Sequence, residues 1–235
     1  MNHEDHVALI RGGVEGAGLR WLELGAGEGA FTLALADALG PGAEILACDR
    51  DARVLRNLTA RLRRAFPRTR VETRAFDFTE AMPYGLFDGV LAANSLHFVR
   101  DRDPTLRAIR FSLVPEGRLV VVEYDADTGN PWVPHPFSFE TWRREAAAAG
   151  YEEPRLLHRV PSRFLGAIYG AVALPAGDAS AVILPAVPPL PAVQPLPPLP
   201  PLPAVPLPPL PLPAVPLPAR DPVLHSRSHG GDREE

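Results

Sequence analysis

Short apolar runs alternate with helix-spaced segments from residue 19 to residue 124, and this alternation limits the fold more than any other feature of the chain. Residues 19–24 form an apolar run ending in glycines. Residues 31–39 then have helical spacing and stop at Gly40-Pro41. The spacing predicts strand, glycine turn, helix. Residues 43–48 read as a second strand, and Asp51 is placed to cap one helix carrying Val54, Leu55, Leu58, Leu62 and Phe66 on one face until Pro67 ends it. Further strands are expected at 70–75, 87–92 and 117–124, a helix at 139–149, and strands at 155–160 and 165–174. Strands apolar on both faces and separated by helices imply a parallel sheet covered on both sides. The last two are joined by so short a turn that they pair antiparallel. The expected fold class is α/β, doubly wound, with a mostly parallel seven-stranded sheet and one antiparallel strand near its edge.

Proline marks where that pattern stops. Of the chain's 29 prolines, 17 lie within residues 185–218, in a window with no charge and no glycine. A segment that is half proline favours extended polyproline II geometry over helix or central strand. The chain therefore divides into a globular domain, 1–175, and a proline-rich tail, 176–235, expected to be disordered. Leu-Pro-Ala-Val recurs in the tail at 184, 190, 202 and 212, too irregularly for a stacked repeat. All 24 basic residues are arginine, against 28 acids, so neither part has the positive excess of a dedicated nucleic-acid binder. A lone cysteine, Cys48, favours a reducing compartment. With a polar, acidic start and no long uninterrupted apolar stretch, a cytoplasmic protein without a membrane partner is expected.

The first glycine turn, Glu23-Leu-Gly25-Ala-Gly27-Glu-Gly29-Ala-Phe31, carries the most chemistry. Glycines between strand and helix let a ligand approach the backbone without meeting a Cβ. Gly-x-Gly-x-Gly differs from the Gly-x-Gly-x-x-Gly of a dinucleotide site, although Ala30 at the last position does not exclude one. Glu23 and Glu28 bring negative charge to the turn, favouring a cofactor with an amine or sulfonium over a pyrophosphate. Asp49 follows the second strand, where a carboxylate accepts from both ribose hydroxyls, and Asp77 and Asn94 follow the third and fourth. In a parallel sheet these carboxyl ends border one crevice.

With those residues in register, the chain resembles a class I S-adenosylmethionine-dependent methyltransferase, near the small bacterial type 11 and 12 domains. The likeness rests on the glycine turn, Cys48-Asp49-Arg50, Ala75-Phe-Asp77-Phe78, residues 87–98 and residues 113–124. It implies a Rossmann-like methyltransferase fold and S-adenosyl-L-methionine as cofactor, with no metal. It further implies that Glu23, Gly25, Ala26 and Gly27 border the methionine part and that Asp49 holds the ribose, with Arg50 beside the adenine. Asp77 and Phe78 would contact the adenine, and Asn94 the methionine end. Glu116 departs from a usual glycine, far from the expected chemistry.

The acceptor side is thinner in signal. His97 is the one histidine expected on the active edge and suits a general base, the alternative being a packing residue. Tyr124 and Trp132 are candidates for the acceptor wall, unless Trp132 merely packs its loop. The segment Asn94-Ser-Leu-His97 lacks the Pro-Pro-Tyr that commonly follows Asn or Asp in enzymes acting on nucleic-acid bases, so a small-molecule acceptor is favoured, with O, N or C left open. The residues before the first strand leave room for a short helix as a lid. Two other readings stay open: a non-catalytic scaffold whose tail engages a proline-recognition domain, and a nicotinamide enzyme, disfavoured by the glutamates at the turn.

Overall fold

Local signals start and stop the helices, and apolar alternation stacks them on the sheet. The structure, a computed structural model, describes residues 1–83 and 85–177. Most of the proline-rich segment expected to be disordered, from residue 178 onward, lies outside the described residues.

In α1 (His3–Val14) Asn2 and Asp5 form a reciprocal cap, the Asn2 side chain accepting from the Asp5 N–H at 2.8 Å and the Asp5 carboxylate from the Asn2 N–H at 3.0 Å. Next come β1 (Arg20–Leu24), α2 (Ala30–Leu39), β2 (Glu44–Asp49), α3 (Ala52–Leu55), α4 (Leu58–Ala65), β3 (Arg70–Ala75) and β4 (Phe87–Ala93). A 3-10 turn at Leu96–Phe98 leads to α5 (Asp103–Phe111), β5 (Leu113–Tyr124), α6 (Phe139–Ala148), β6 (Arg155–Ser162) and β7 (Gly166–Ala173). The sheet has seven strands in the order β3-β2-β1-β4-β5-β7-β6, with β7 antiparallel to both neighbours. This is the architecture expected from the sequence.

Two apolar layers cover the sheet. Trp21, Leu91, Val120 and Val122 face α1 and α2, while Leu22, Leu24, Val90 and Val121 face α5 and α6, where Trp142, Phe137 and Tyr169 are fully buried. Burying an aromatic or leucine side chain stabilises by roughly 1.5–3 kcal/mol, so these layers dominate the fold energy.

Three local expectations need correction. The helix foreseen after Asp51 is two helices, broken at Arg56 and Asn57. Just past the break Leu58 packs under the glycine turn, where a Cβ on Gly29 would come within 2.0 Å of its Cδ1. The fifth strand starts at Leu113, because Leu113 pairs with Phe87 before the register shifts and resumes at Gly89 and Arg118. The short N-terminal helix is no lid. Val7, Leu9, Ile10 and Val14 are buried against the sheet and α2, and a Cβ on Gly170 of β7 would lie 1.9 Å from the Leu9 carbonyl oxygen. Among the described residues no helix is long and apolar enough to cross a membrane.

Candidate functional site

The carboxyl ends of β1 to β4 converge because backbone bonds tie each strand end to its neighbour. Gly25 and Ala26 donate to the Cys48 carbonyl at 2.9 and 2.8 Å, Phe76 donates to Asp49, and Asn94 donates to Val122. The result is a cavity of about 400 Å³ lined by Gly25, Gly27, Asp49, Arg50, Asp77, Phe78 and Asn94, all foreseen, together with Phe76, Thr79, Ser95, Phe98 and Val99.

Its polar groups are held in place. Asp49 accepts from the Gly27 N–H through Oδ2 and from the Asp51 N–H through Oδ1, both at 2.9 Å. Asp77 accepts the Thr79 hydroxyl at 2.7 Å and the Thr79 N–H at 2.9 Å, and these bonds hold its carboxyl below the usual carboxylate range. Arg50 lies over the Phe98 ring, 6.0 Å from its centre. Asn94 ends β4 with a φ of 52°, a left-handed backbone uncommon outside glycine and found at functional turns.

Glu23 and Ala26 do not line this cavity. Glu23 points from β1 into the layer under α2 and is 1% exposed. Burial pushes its carboxyl up to about 8, with the Thr32 hydroxyl opposing and the Asp49 charge adding. It therefore stays largely protonated at neutral pH. Glu28 is exposed, so the negative charge at the cavity comes from Asp49 and Asp77 rather than from the two glutamates.

A second cavity, of about 450 Å³, adjoins the first. It is lined by Asn94, which belongs to both, and by His97, Tyr124, Trp132, Val133 and Phe164. His97 is 3% exposed, and its Nδ1 lies 2.8 Å from Oε2 of Glu123, itself fully buried. The other Glu123 oxygen accepts the His97 backbone N–H at 3.2 Å. Trp132 does not pack its loop down: it is 71% exposed and meets Phe164 edge-on. Arg102 fixes the surrounding loops, donating to the Val99 and His135 carbonyls and bidentately to Glu145, at 2.7 to 3.1 Å.

Residues 22–119 match the family described as "Methyltransferase domain". Over those residues the chain carries a methyltransferase domain of the class I, S-adenosylmethionine-dependent type. A stretch of 115 residues, 46% of the chain, is 34% identical to the reducing polyketide synthase grgA of a Penicillium species, and covers only 5% of that synthase. Among solved structures, the N-terminal domain of EvdMO1 with SAH bound is 24% identical at a TM-score of 0.56, covering 75% of this chain and 82% of that one. The CMeT domain of the citrinin polyketide synthase is 20% identical at 0.54, covering 68% and 47%.

The cofactor of this methyltransferase class fits the residues present. A Cβ added to Gly27 would meet nothing within 4 Å, so the turn leaves open a space that a side chain would fill. Asn94 Oδ1 and Ser95 Oγ are buried without a hydrogen-bond partner among the described residues, and both residues line the cavity. Such atoms suit a ligand that donates hydrogen bonds. Cys48, the sole cysteine, is buried beside the site with its thiol pushed up to about 12 by that burial, which makes it an inert apolar contact rather than a nucleophile.

The residues at the two cavities that sequence reasoning did not single out include Glu123, Ser95 and Phe164, besides Phe76, Thr79, Phe98, Val99 and Val133. Glu123 had a readable signal, a charge inside the run Leu119-Val-Val-Val-Glu-Tyr124 where apolar residues fill both faces. Ser95 and Phe164 had none.

The raised Glu23 carboxyl predicts a pH dependence of stability. The unfolded chain releases this proton near 4.5, whereas the folded chain keeps it up to about 8, so folding stability falls as pH rises between those values. In urea unfolding at pH 6 and pH 8, Glu23→Gln is expected to remove roughly 2 kcal/mol of the wild-type decline. Parallel curves for the two proteins would contradict it.

Proposed function

We propose that this chain transfers the methyl group of S-adenosylmethionine to a small-molecule acceptor whose attacking atom gives up a proton to His97. The observation carrying this reading is the buried His97–Glu123 pair, 2.8 Å apart, on the wall of a cavity that shares Asn94 with the cofactor cavity. When bound, the cofactor supplies an electrophilic methyl on a sulfonium that leaves as a neutral sulfide. Asp49 would hold the ribose hydroxyls through the lone pairs not used by Gly27 and Asp51. Asp77, Phe78 and Arg50 would border the adenine, while Gly25, Gly27, Asn94 and Ser95 would border the methionine end.

Glu123, as a carboxylate, accepts the Nδ1 hydrogen and leaves Nε2 as the basic nitrogen. Fixing the ring in this way presets the geometry, so an acceptor held by Tyr124, Trp132 and Phe164 loses its proton at Nε2 as it attacks. Positioning of the two reactants supplies roughly 7–11 kcal/mol and the base about 10²–10⁴-fold more. A hydroxyl or an activated C–H needs such a base, and a neutral amine needs it least. The test is release of S-adenosylhomocysteine across a panel of phenols, enols, 1,3-dicarbonyls and amines. Turnover confined to protic oxygen and carbon acceptors is expected. Amines methylated equally well by wild type and by His97→Ala would overturn the reading.

The division of the chain near residue 175 belongs to the same proposal. Among the described residues, every one that lines the two cavities lies before Leu165. Deleting residues 180–235 should leave S-adenosylhomocysteine affinity within about twofold of the full chain, a change of under 0.5 kcal/mol. A truncated protein that fails to fold, or that loses the ligand, would sink the division and leave room for a structural role of the tail.

A further inference from the structure

We infer that the cavity beside His97 selects an uncharged, planar, conjugated acceptor. This rests on reading that cavity as the acceptor site and extends the reading to the chemical class of the ligand. Trp132 is 71% exposed and Phe164 is 47% exposed, although large aromatic side chains normally lose water on folding. They stand together. Trp132 meets Phe164 at 6.2 Å with planes at 70°, Phe164 meets Tyr124 at 5.9 Å and 53°, and Tyr124 meets His97 at 6.0 Å and 60°. Tilted rings form a continuous path from solvent to the buried base, and a flat conjugated guest gains from faces and edges together. A contiguous exposed apolar group of this kind marks a binding surface.

Charge decides the rest. Among the described residues no Asp, Glu, Arg or Lys lines the cavity. Asp125 and Arg159, on the adjoining strand end and strand, are paired with each other at 2.9 Å, and Arg163 is exposed without lining the cavity. An anionic acceptor would therefore bring a carboxylate or phosphate against ring carbons with no cationic side chain in the lining to meet it. A cationic acceptor is attracted by ring faces. It would, however, sit across Asn94 from a positively charged sulfonium and beside a histidine that becomes positive on taking its proton. Like charges at that range oppose both binding and reaction.

Trp132 reports on this directly, since the other two tryptophans, Trp21 and Trp142, are fully buried. The full chain, labelled at tryptophan nitrogen and saturated with sinefungin, a cofactor analogue whose ammonium stands in place of the sulfonium, is titrated with 2-naphthol, 6-hydroxy-2-naphthoate and a trimethylammonium-substituted 2-naphthol, following the Trp132 indole N–H signal. The neutral naphthol should move that signal and bind roughly tenfold tighter than either charged analogue, and Phe164→Ala should weaken it by about fivefold. Naphthoate or the cation binding as tightly as naphthol would overturn the acceptor class, as would naphthol binding that leaves Trp132 unmoved. If neither sinefungin nor S-adenosylhomocysteine binds, the methyltransferase reading fails first and the acceptor class falls with it.

Discussion

Replacing His97 with alanine will lower turnover of a hydroxyl or C–H acceptor by about 10²–10⁴-fold while S-adenosylhomocysteine affinity stays within about twofold of wild type. The split follows from placement: His97 lines the aromatic cavity and not the cofactor cavity. The variant needs a control, because removing the imidazole leaves the Glu123 carboxylate fully buried with, among the described residues, only the 3.2 Å backbone contact to residue 97. A buried charge stripped of its partner costs about 3–5 kcal/mol of stability. His97→Gln keeps a polar side chain next to Glu123 but offers no base, so it should fold better and be as inactive. Glu123→Gln preserves shape while no longer holding the imidazole in one tautomer, and it should lose at least about tenfold in turnover. Rates unchanged in all three at saturating acceptor would make His97 a wall residue.

Asp49→Ala should weaken cofactor binding by about 100-fold. Hydrogen bonds to a charged group contribute about 1.5–3 kcal/mol each, and the carboxylate is placed to take two from a ribose. It also holds the glycine turn through the Gly27 N–H at 2.9 Å, so the variant loosens the cradle as well as removing an acceptor. Asp49→Asn keeps one acceptor oxygen and should lose less, about tenfold. Asp49 is only partly buried, and thermal stability of both variants should stay close to wild type. Calorimetric titration with S-adenosylhomocysteine measures the affinities. An Asp49→Ala protein with intact affinity would remove the ribose role.

Much of the fold was legible because its signals are local. Alternation placed all seven strands, and the short connection expected after residue 160 required the antiparallel β7, although β6 runs on through Pro161 and Ser162, which pair with Ala167 and Gly166. Asp49, Asp77 and Asn94 were legible for a topological reason: parallel strands put their carboxyl ends on one edge wherever the helices run. Side-chain direction was less so. Glu23 sits in the same turn as Gly25, but alternation along β1 sends it to the face under α2, away from the cavity. The His97–Glu123 contact joins residues 26 apart, and no period or spacing announces such a pair. Phe164 reaches the aromatic group because β7 pairs with β5 in a register that sets Tyr124 opposite Ile168, which brings the β6–β7 turn beside Tyr124. Registers of that kind depend on packing between distant segments. The helix break at Arg56 and Asn57 likewise accompanies a contact, Leu58 against Gly29, that lies outside its own stretch of sequence.

Isothermal titration of the full chain with S-adenosylhomocysteine and, separately, with NAD bears most directly on the cofactor site. Gly27, which leaves room at the turn, a carboxylate at the end of β2, and acceptors on Asn94 and Ser95 without a partner among the described residues predict one S-adenosylhomocysteine per chain and no heat from NAD. Saturable binding of NAD, with S-adenosylhomocysteine giving none, would contradict it.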